Sequence, residues 1–266
     1  MKKLIQILIL LLMTVDGYSR CKDSGLYFWP SGQTVCENSI FVIDGYLGSQ
    51  EIITGFETKY KVYLKSGGQI VNLKVQETLV GQFGLTQAIL RPETNLTVGE
   101  TYELIINNLP DPDNELSRYS ELTNHKEKIK WTVIAGQDTI APKWRKTPKF
   151  KNYSDEMFGC GPKNFAIFTF SATDNSELLI KTVVKNLSTG IETIYYLKPD
   201  SKRIAVGHGM CSGAFDFGIS NDFEVEFSLF DASGNITAWA DNSIKIKRPA
   251  LKKNERKPPK HNRQPK

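Results

Sequence analysis

The sequence predicts an all-β chain built as two tandem β-sandwich domains. Three observations carry that expectation. Apolar residues recur at every second position almost throughout, as on a pleated strand with one buried face. Clusters of Gly, Asn, Asp, Ser and Pro break these runs at short intervals, such as Ser66-Gly67-Gly68, Ser188-Thr189-Gly190 and Ser233-Gly234-Asn235, which is turn chemistry at sandwich spacing. No window keeps a 3.6-residue period over the ten to twelve residues of a confident helix. A length of 266 residues suits two domains of about 100 to 120 residues, each large enough for its own core. Hydrophobic residues at 40% and charged residues at 24% exclude wholesale disorder and a polytopic membrane protein.

The chain opens with Lys2 and Lys3, an apolar run from Leu4 to Met13, and small residues Gly17 and Ser19 before Arg20. That order is a secretory signal peptide over residues 1–19. The run is about half of what spanning a bilayer needs, so no transmembrane segment is expected once the signal is cleaved. The product is expected to be exported, either periplasmic or extracellular at the cell surface.

In the first domain, residues 20–137, strands are expected at Ser39–Tyr46, Tyr60–Lys65, Gln69–Glu77, Gly84–Arg91, Thr101–Ile106 and Lys130–Ala135. Glu115–Lys130 comes nearest to a helical pattern and leaves room for one short helix. Gly136, Pro142 and Pro148 interrupt the pattern, and Asp138-Thr139-Ile140-Ala141-Pro142 reads as a linker. In the second domain, residues 138–248, strands are expected at Asn164–Ala172, Leu178–Asn186, Ile191–Lys198, Arg203–Val206, Phe223–Leu229 and Ser243–Lys247. Residues 249–266 carry four prolines and almost no apolar side chains, so they are expected to form a disordered basic tail.

Two segments resemble bacterial immunoglobulin-like modules of exported surface proteins. Phe28-Trp29-Pro30-Ser31-Gly32-Gln33-Thr34-Val35, Leu90-Arg91-Pro92 and Leu96-Thr97-Val98-Gly99-Glu100-Thr101-Tyr102 are similar to the S-layer type, and Asp231-Ala232-Ser233-Gly234-Asn235 resembles the closing hairpin of tandem bacterial sandwiches. The resemblance implies an immunoglobulin-like fold for both domains; its motifs are turn and core motifs, which say little about function.

Chemistry is sparse. Cys21, Cys36, Cys160 and Cys211 form an even set, and in an oxidising compartment pairing within halves, Cys21 with Cys36 and Cys160 with Cys211, is the economical arrangement of the three available. The only histidines are His125, His208 and His261, and none has a nucleophile elbow beside it, so no catalytic residues and no cofactor are expected. His208 and Met210, with Met157, offer imidazole and thioether donors suited to copper. Against this, a loop histidine beside a disulfide is the plainer reading. Trp29, Trp131, Trp144 and Trp239 could stack on sugars but more often pack cores. Asp111, Asp113 and Glu115 lack the glycine and bidentate Glu of a defined calcium loop.

The net charge of +5 is concentrated at the C-terminus. There Lys252, Lys253, Arg256, Lys257, Lys260, Arg263 and Lys266 face the single acid Glu255, while the body carries 25 basic against 27 acidic side chains. A nucleic-acid-binding body is therefore not indicated. The tail suits an anionic envelope surface or polysaccharide, or serves only to solubilise. The expected function is that of an exported structural or adhesive protein of the cell envelope, without catalysis. The alternative is a ligand carrier for copper or glycan.

Overall fold

The computed structural model describes residues 24–110, 116–120, 124–158, 161–239 and 243–248. The expected signal peptide and basic tail lie outside them. The described residues are all-β apart from a single turn of 3₁₀ helix and the five-residue helix α1 (Gln50–Thr54). The strands are β1 (Gly25–Trp29), β2 (Thr34–Val35), β3 (Phe41–Tyr46), β4 (Val62–Ser66), β5 (Gln69–Val80), β6 (Leu85–Pro92), β7 (Thr101–Ile106), β8 (Ser117–Ser120) and β9 (His125–Lys128). They continue as β10 (Lys130–Val133), β11 (Lys143–Phe158), β12 (Gly161–Thr173), β13 (Leu178–Asn186), β14 (Glu192–Leu197), β15 (Arg203–His208), β16 (Asp222–Asp231), β17 (Ile236–Ala238) and β18 (Ile244–Lys247).

In the first half, eight strands form one curled sheet in the order β1-β3-β6-β5-β4-β7-β10-β2. The long strand β5 makes the curl: its start pairs with β4 and the rest with β6, with a register shift between Val75 and Glu77. A bulge of that kind bends a strand and sharpens its twist. The concave side closes on Phe41, Ile43, Leu64, Ala88, Leu90, Tyr102 and Trp131. Trp131 satisfies its indole by donating Nε1–H to the Pro30 carbonyl at 2.9 Å. Helix α1 plugs one end with Ile52 and Ile53, and Gly45 is needed there, since a Cβ on it would meet Ser49 O at 2.5 Å and Ile53 Cγ1 at 2.6 Å.

In the second half, the sheet β11-β12-β15 faces the sheet β14-β13-β16-β17, with β18 also on β16. Phe168 of β12 meets Phe227 of β16 edge-on at 5.0 Å, and Ile180, Val184, Tyr195, Ile204, Val206 and Val225 fill the space between the layers.

A third apolar layer joins the halves. Trp29, Ile40, Val42, Leu79 and Ile89 of the first half pack on Leu179, Tyr196, Phe230 and Ala232 of the second. This explains the unbroken apolar runs Ile40-Phe41-Val42-Ile43 and Leu178-Leu179-Ile180. A strand buried on both faces has no solvent side to alternate with. Phe41 and Ile43 point into the first core, Ile40 and Val42 into the shared layer.

The structure corrects several expectations. Glu115–Lys130 holds no helix among its described residues: β8 and β9 pair as an antiparallel hairpin, turned at Asn124 with φ +58°. The segment has too few apolar residues to bury a helical stripe. The interval expected to be linker gives way at Lys143 to the sixteen-residue strand β11, whose three register shifts erase the period of two. Pro148 is tolerated because β11 is an edge strand.

Cys36 is a free thiol, against the expected bridge to Cys21, which lies outside the described residues. Cys36 instead sits half-buried in the turn after β2, near Asp138, Asp231 and Glu37. Cys211 is disulfide-bonded; Cys160, its expected partner, lies outside the described residues.

Candidate functional site

The polar chemistry of the molecule gathers where the halves meet. β14 is an edge strand, so every second residue presents its backbone N–H and C=O outward. The Gln87 side chain caps that edge. Tyr196 N–H donates to Gln87 Oε1 at 2.7 Å, and Gln87 Nε2 donates to the Tyr196 carbonyl at 3.0 Å. The same Nε2 donates to Asp44 Oδ1 at 2.8 Å, because Asp44 stands directly opposite Gln87 in the β3–β6 ladder. Burial pushes the Asp44 carboxyl up to about 7, against the Gln87 bond, which favours its ionised form. Burial, with Asp44 and Tyr27 adding repulsion, also raises Tyr46.

Asp44 lies at a cleft of about 1110 Å³ bordered by the edge strands β1 and β14, with Tyr27, Trp29, Tyr46, Tyr196, Arg118 and Lys198 in its walls. Tyr27 and Tyr46 meet edge-on at 5.3 Å. At the rim, Ser31 donates from N and Oγ to Glu177, and Lys198 reaches both Ser31 Oγ and Glu177. Arg118 donates to the carbonyls of Ser31, Gly32 and Lys130. These charges are committed to one another and to the backbone.

A second feature sits at the linker. One carboxylate oxygen each from Asp138, Asp174 and Asp231 lies within 4.8 Å of the others. Local turns hold them from behind. Asp231 accepts from Ser233 N, Asn235 N and Asn235 Nδ2 at 2.8–2.9 Å, and Asp174 accepts from Ser176 N and Oγ, both at 2.8 Å. Asn38 of the first half joins in, donating to the Asp138 carbonyl and accepting from Asp138 N–H and Ser233 Oγ. Burial, then repulsion from Asp138, lifts the Asp231 carboxyl above the ordinary range despite the bonds from Asn235 and Ser233. The Cys36 thiol is raised by burial and then by Asp138, Asp231 and Glu37.

The residues singled out by sequence fall elsewhere. His208 is buried, stacked on Phe83 of the first half with centroids 4.1 Å apart. Its Nδ1–H donates to the Gly209 carbonyl at 2.7 Å, and Nε2 faces Asn164 Nδ2 at 3.5 Å and Asp216 Oδ1 at 3.6 Å. Met157 is 69% exposed on β11, two strand spacings or about 9.6 Å from β15, which carries His208. Met210 is half-buried. Trp29 and Trp131 are buried in different layers, and Trp144 and Trp239 pack on the second core. The tail residues Lys252, Lys253, Arg256, Lys257, Lys260, Arg263 and Lys266, and the acids Asp111, Asp113 and Glu115, lie outside the described residues.

Sequence reasoning missed the aspartate group because its members stand far apart in the chain. Each nonetheless opens a turn or linker motif, Asp138-Thr139, Asp174-Asn175-Ser176 and Asp231-Ala232-Ser233, and that recurrence was the available signal.

No family model matches the chain, and no curated protein matches it. Among solved structures, it is similar to part of a pullulanase from Anoxybacillus sp. LM18-11, at 8% identity and a TM-score of 0.23, over 75% of this chain and 24% of that one. A type I pullulanase from Bacillus subtilis str. 168, complexed with maltose, gives 9% identity and a TM-score of 0.24 over 84% and 24%. The chain thus spans about a quarter of the length of these structures.

Proposed function

We propose that this chain is an exported, non-catalytic protein of the cell envelope, made of two immunoglobulin-like sandwiches and serving a structural or adhesive role. The observation that carries the reading is the shared apolar layer of Trp29, Val42, Ile89, Leu179, Tyr196 and Phe230, cross-linked by the paired bonds between Gln87 and Tyr196. Two β-sheet bodies joined this way make a stiff unit, which suits presenting a surface rather than closing around a substrate. The charged groups beside the cleft support the absence of catalysis, since Arg118, Lys198 and Glu177 are held in static bonds. The basic tail supplies the adhesive contact, by screened attraction to anionic polysaccharide or lipid.

Retention of the mature chain on immobilised anionic polysaccharide and on anionic vesicles, with and without residues 249–266, tests this reading. Loss of retention on deletion, and on raising salt, is expected. Equal retention of both forms would overturn the role of the tail.

A second reading, a glycan carrier, is favoured by the aromatic cleft, where Tyr27 is 60% exposed beside Tyr46 and Tyr196. Ring faces of this kind stack on sugars. Binding of neutral oligosaccharides that is lost in Tyr27→Ala would support it, and no binding by the parent chain would refute it.

A further inference from the structure

We infer that Asp138, Asp174 and Asp231 form a binding site for a hard divalent cation, calcium by size, that fastens the inter-domain linker to the second half. The inference stands apart from whatever the outer surface of the protein binds. Three carboxylate oxygens within 4.8 Å of one another span the width of a coordination sphere of about 2.4 Å radius, the Ca²⁺–oxygen distance. Magnesium keeps several of its waters and takes one or two carboxylates rather than three.

A separate observation points to a ligand. Asp138 Oδ2 is shut off from solvent and has no hydrogen-bond donor among the described residues, although its Oδ1 accepts from Ile140 N–H at 3.1 Å. A buried carboxylate oxygen left bare is costly unless something positive sits against it. No Lys or Arg among the described residues does so, because none of the ion pairs includes these aspartates. Arg91 lies over Gly234 of the neighbouring turn but outside ion-pair distance. The donors are all oxygen, which selects a hard ion over zinc or copper. The hydrogen bonds from Ser176, Ser233 and Asn235 orient the carboxylates as the outer shell of a metal site does.

The placement gives the ion a mechanical task. Asp138 stands in the linker, Asp174 follows β12 and Asp231 ends β16, while Asn38 ties the first half to the Asp138 backbone. A cation there joins three separate segments of chain.

The experiment uses the mature chain stripped with EDTA and titrated calorimetrically with CaCl₂ or MgCl₂, with thermal unfolding followed in parallel. One Ca²⁺ per chain is expected, at a Kd on the order of 10⁻⁶ to 10⁻³ M, with Mg²⁺ at least about tenfold weaker and a Tm that rises with Ca²⁺ concentration. Asp138→Asn and Asp174→Asn should each weaken Ca²⁺ at least about tenfold, while Asp216→Asn, beside His208, leaves it unchanged. Circular dichroism checks that the variants fold, and Asp174→Asn decides alone if Asp138→Asn does not. The inference fails if millimolar Ca²⁺ produces neither binding heat nor a Tm shift, or if folded Asp174→Asn binds as the parent does.

Discussion

Replacing Asp44 by Asn should stabilise the protein at alkaline pH and do nothing at acidic pH. The carboxyl ionises at about 7 in the folded chain and has an ordinary value of 3.8, so between those limits the native state holds a proton that the unfolded state has released. Stability therefore falls as pH rises through that window, because the unfolded chain binds fewer protons there. At about 1.36 kcal/mol per unit, the ionised carboxylate costs the folded state on the order of 4 kcal/mol by pH 8. Asparagine keeps the Oδ1 acceptor for Gln87 Nε2 and carries no charge, so the variant escapes that cost. The assay is urea unfolding of parent and variant at pH 4, 6 and 8, read as the difference in stability at each pH, which cancels every other titrating group. The difference should be near zero at pH 4 and reach about 4 kcal/mol at pH 8, or on the order of 10 °C in Tm for a chain of this size. A difference that does not change with pH would refute the reasoning and show that solvent in the cleft lets Asp44 ionise as it does in the unfolded chain.

Three further outcomes follow from the same geometry. Gln87→Ala strips both bonds from the Tyr196 backbone and should cost about 2–4 kcal/mol, read by urea unfolding; a cost below about 1 kcal/mol would mean water replaces the amide freely. Gly207→Ala puts a Cβ 2.0 Å from Asn164 O at φ +141° and should cost about 3 kcal/mol or more. Gly67→Ala, at φ +54° with open space around it, should cost only about 1 kcal/mol, and equal losses would contradict the packing of β15 on β12. Cys36 should react with a thiol reagent at pH 8 in EDTA more slowly than in the urea-unfolded chain, since its raised thiol holds less thiolate. Equal rates would show that burial and the neighbouring aspartates do not act on it.

Strands with one wet face were plain in the sequence: Phe223, Val225, Phe227 and Leu229 alternate with polar residues and form the inner face of β16. Strands with two dry faces were also found, but the reason for their unbroken apolar runs emerges only when Val42 and Ile89 meet Leu179 and Phe230. β11 escaped notice because its bulges shift the alternation three times, and a period cannot be read through a changing register. β1 and β2 were hidden in a stretch of turn residues around Pro30. The recurring Asp-led turns at Asp138, Asp174 and Asp231 were legible in the sequence, but that they meet is a property of the fold. His208 drew notice through its rarity, yet its ring packs on Phe83.

The shared layer also fixes what happens when the chain is divided. Either half made alone, divided between Gln137 and Asp138, would carry a newly wetted greasy wall, with Trp29 and Ile89 on one and Tyr196 and Phe230 on the other. Contiguous apolar surface of that kind drives self-association, and the uncapped rim of β14 would add a template for recruiting further strands. Each half thus depends on the other to stay in solution, and pieces expressed separately should precipitate where the whole chain does not.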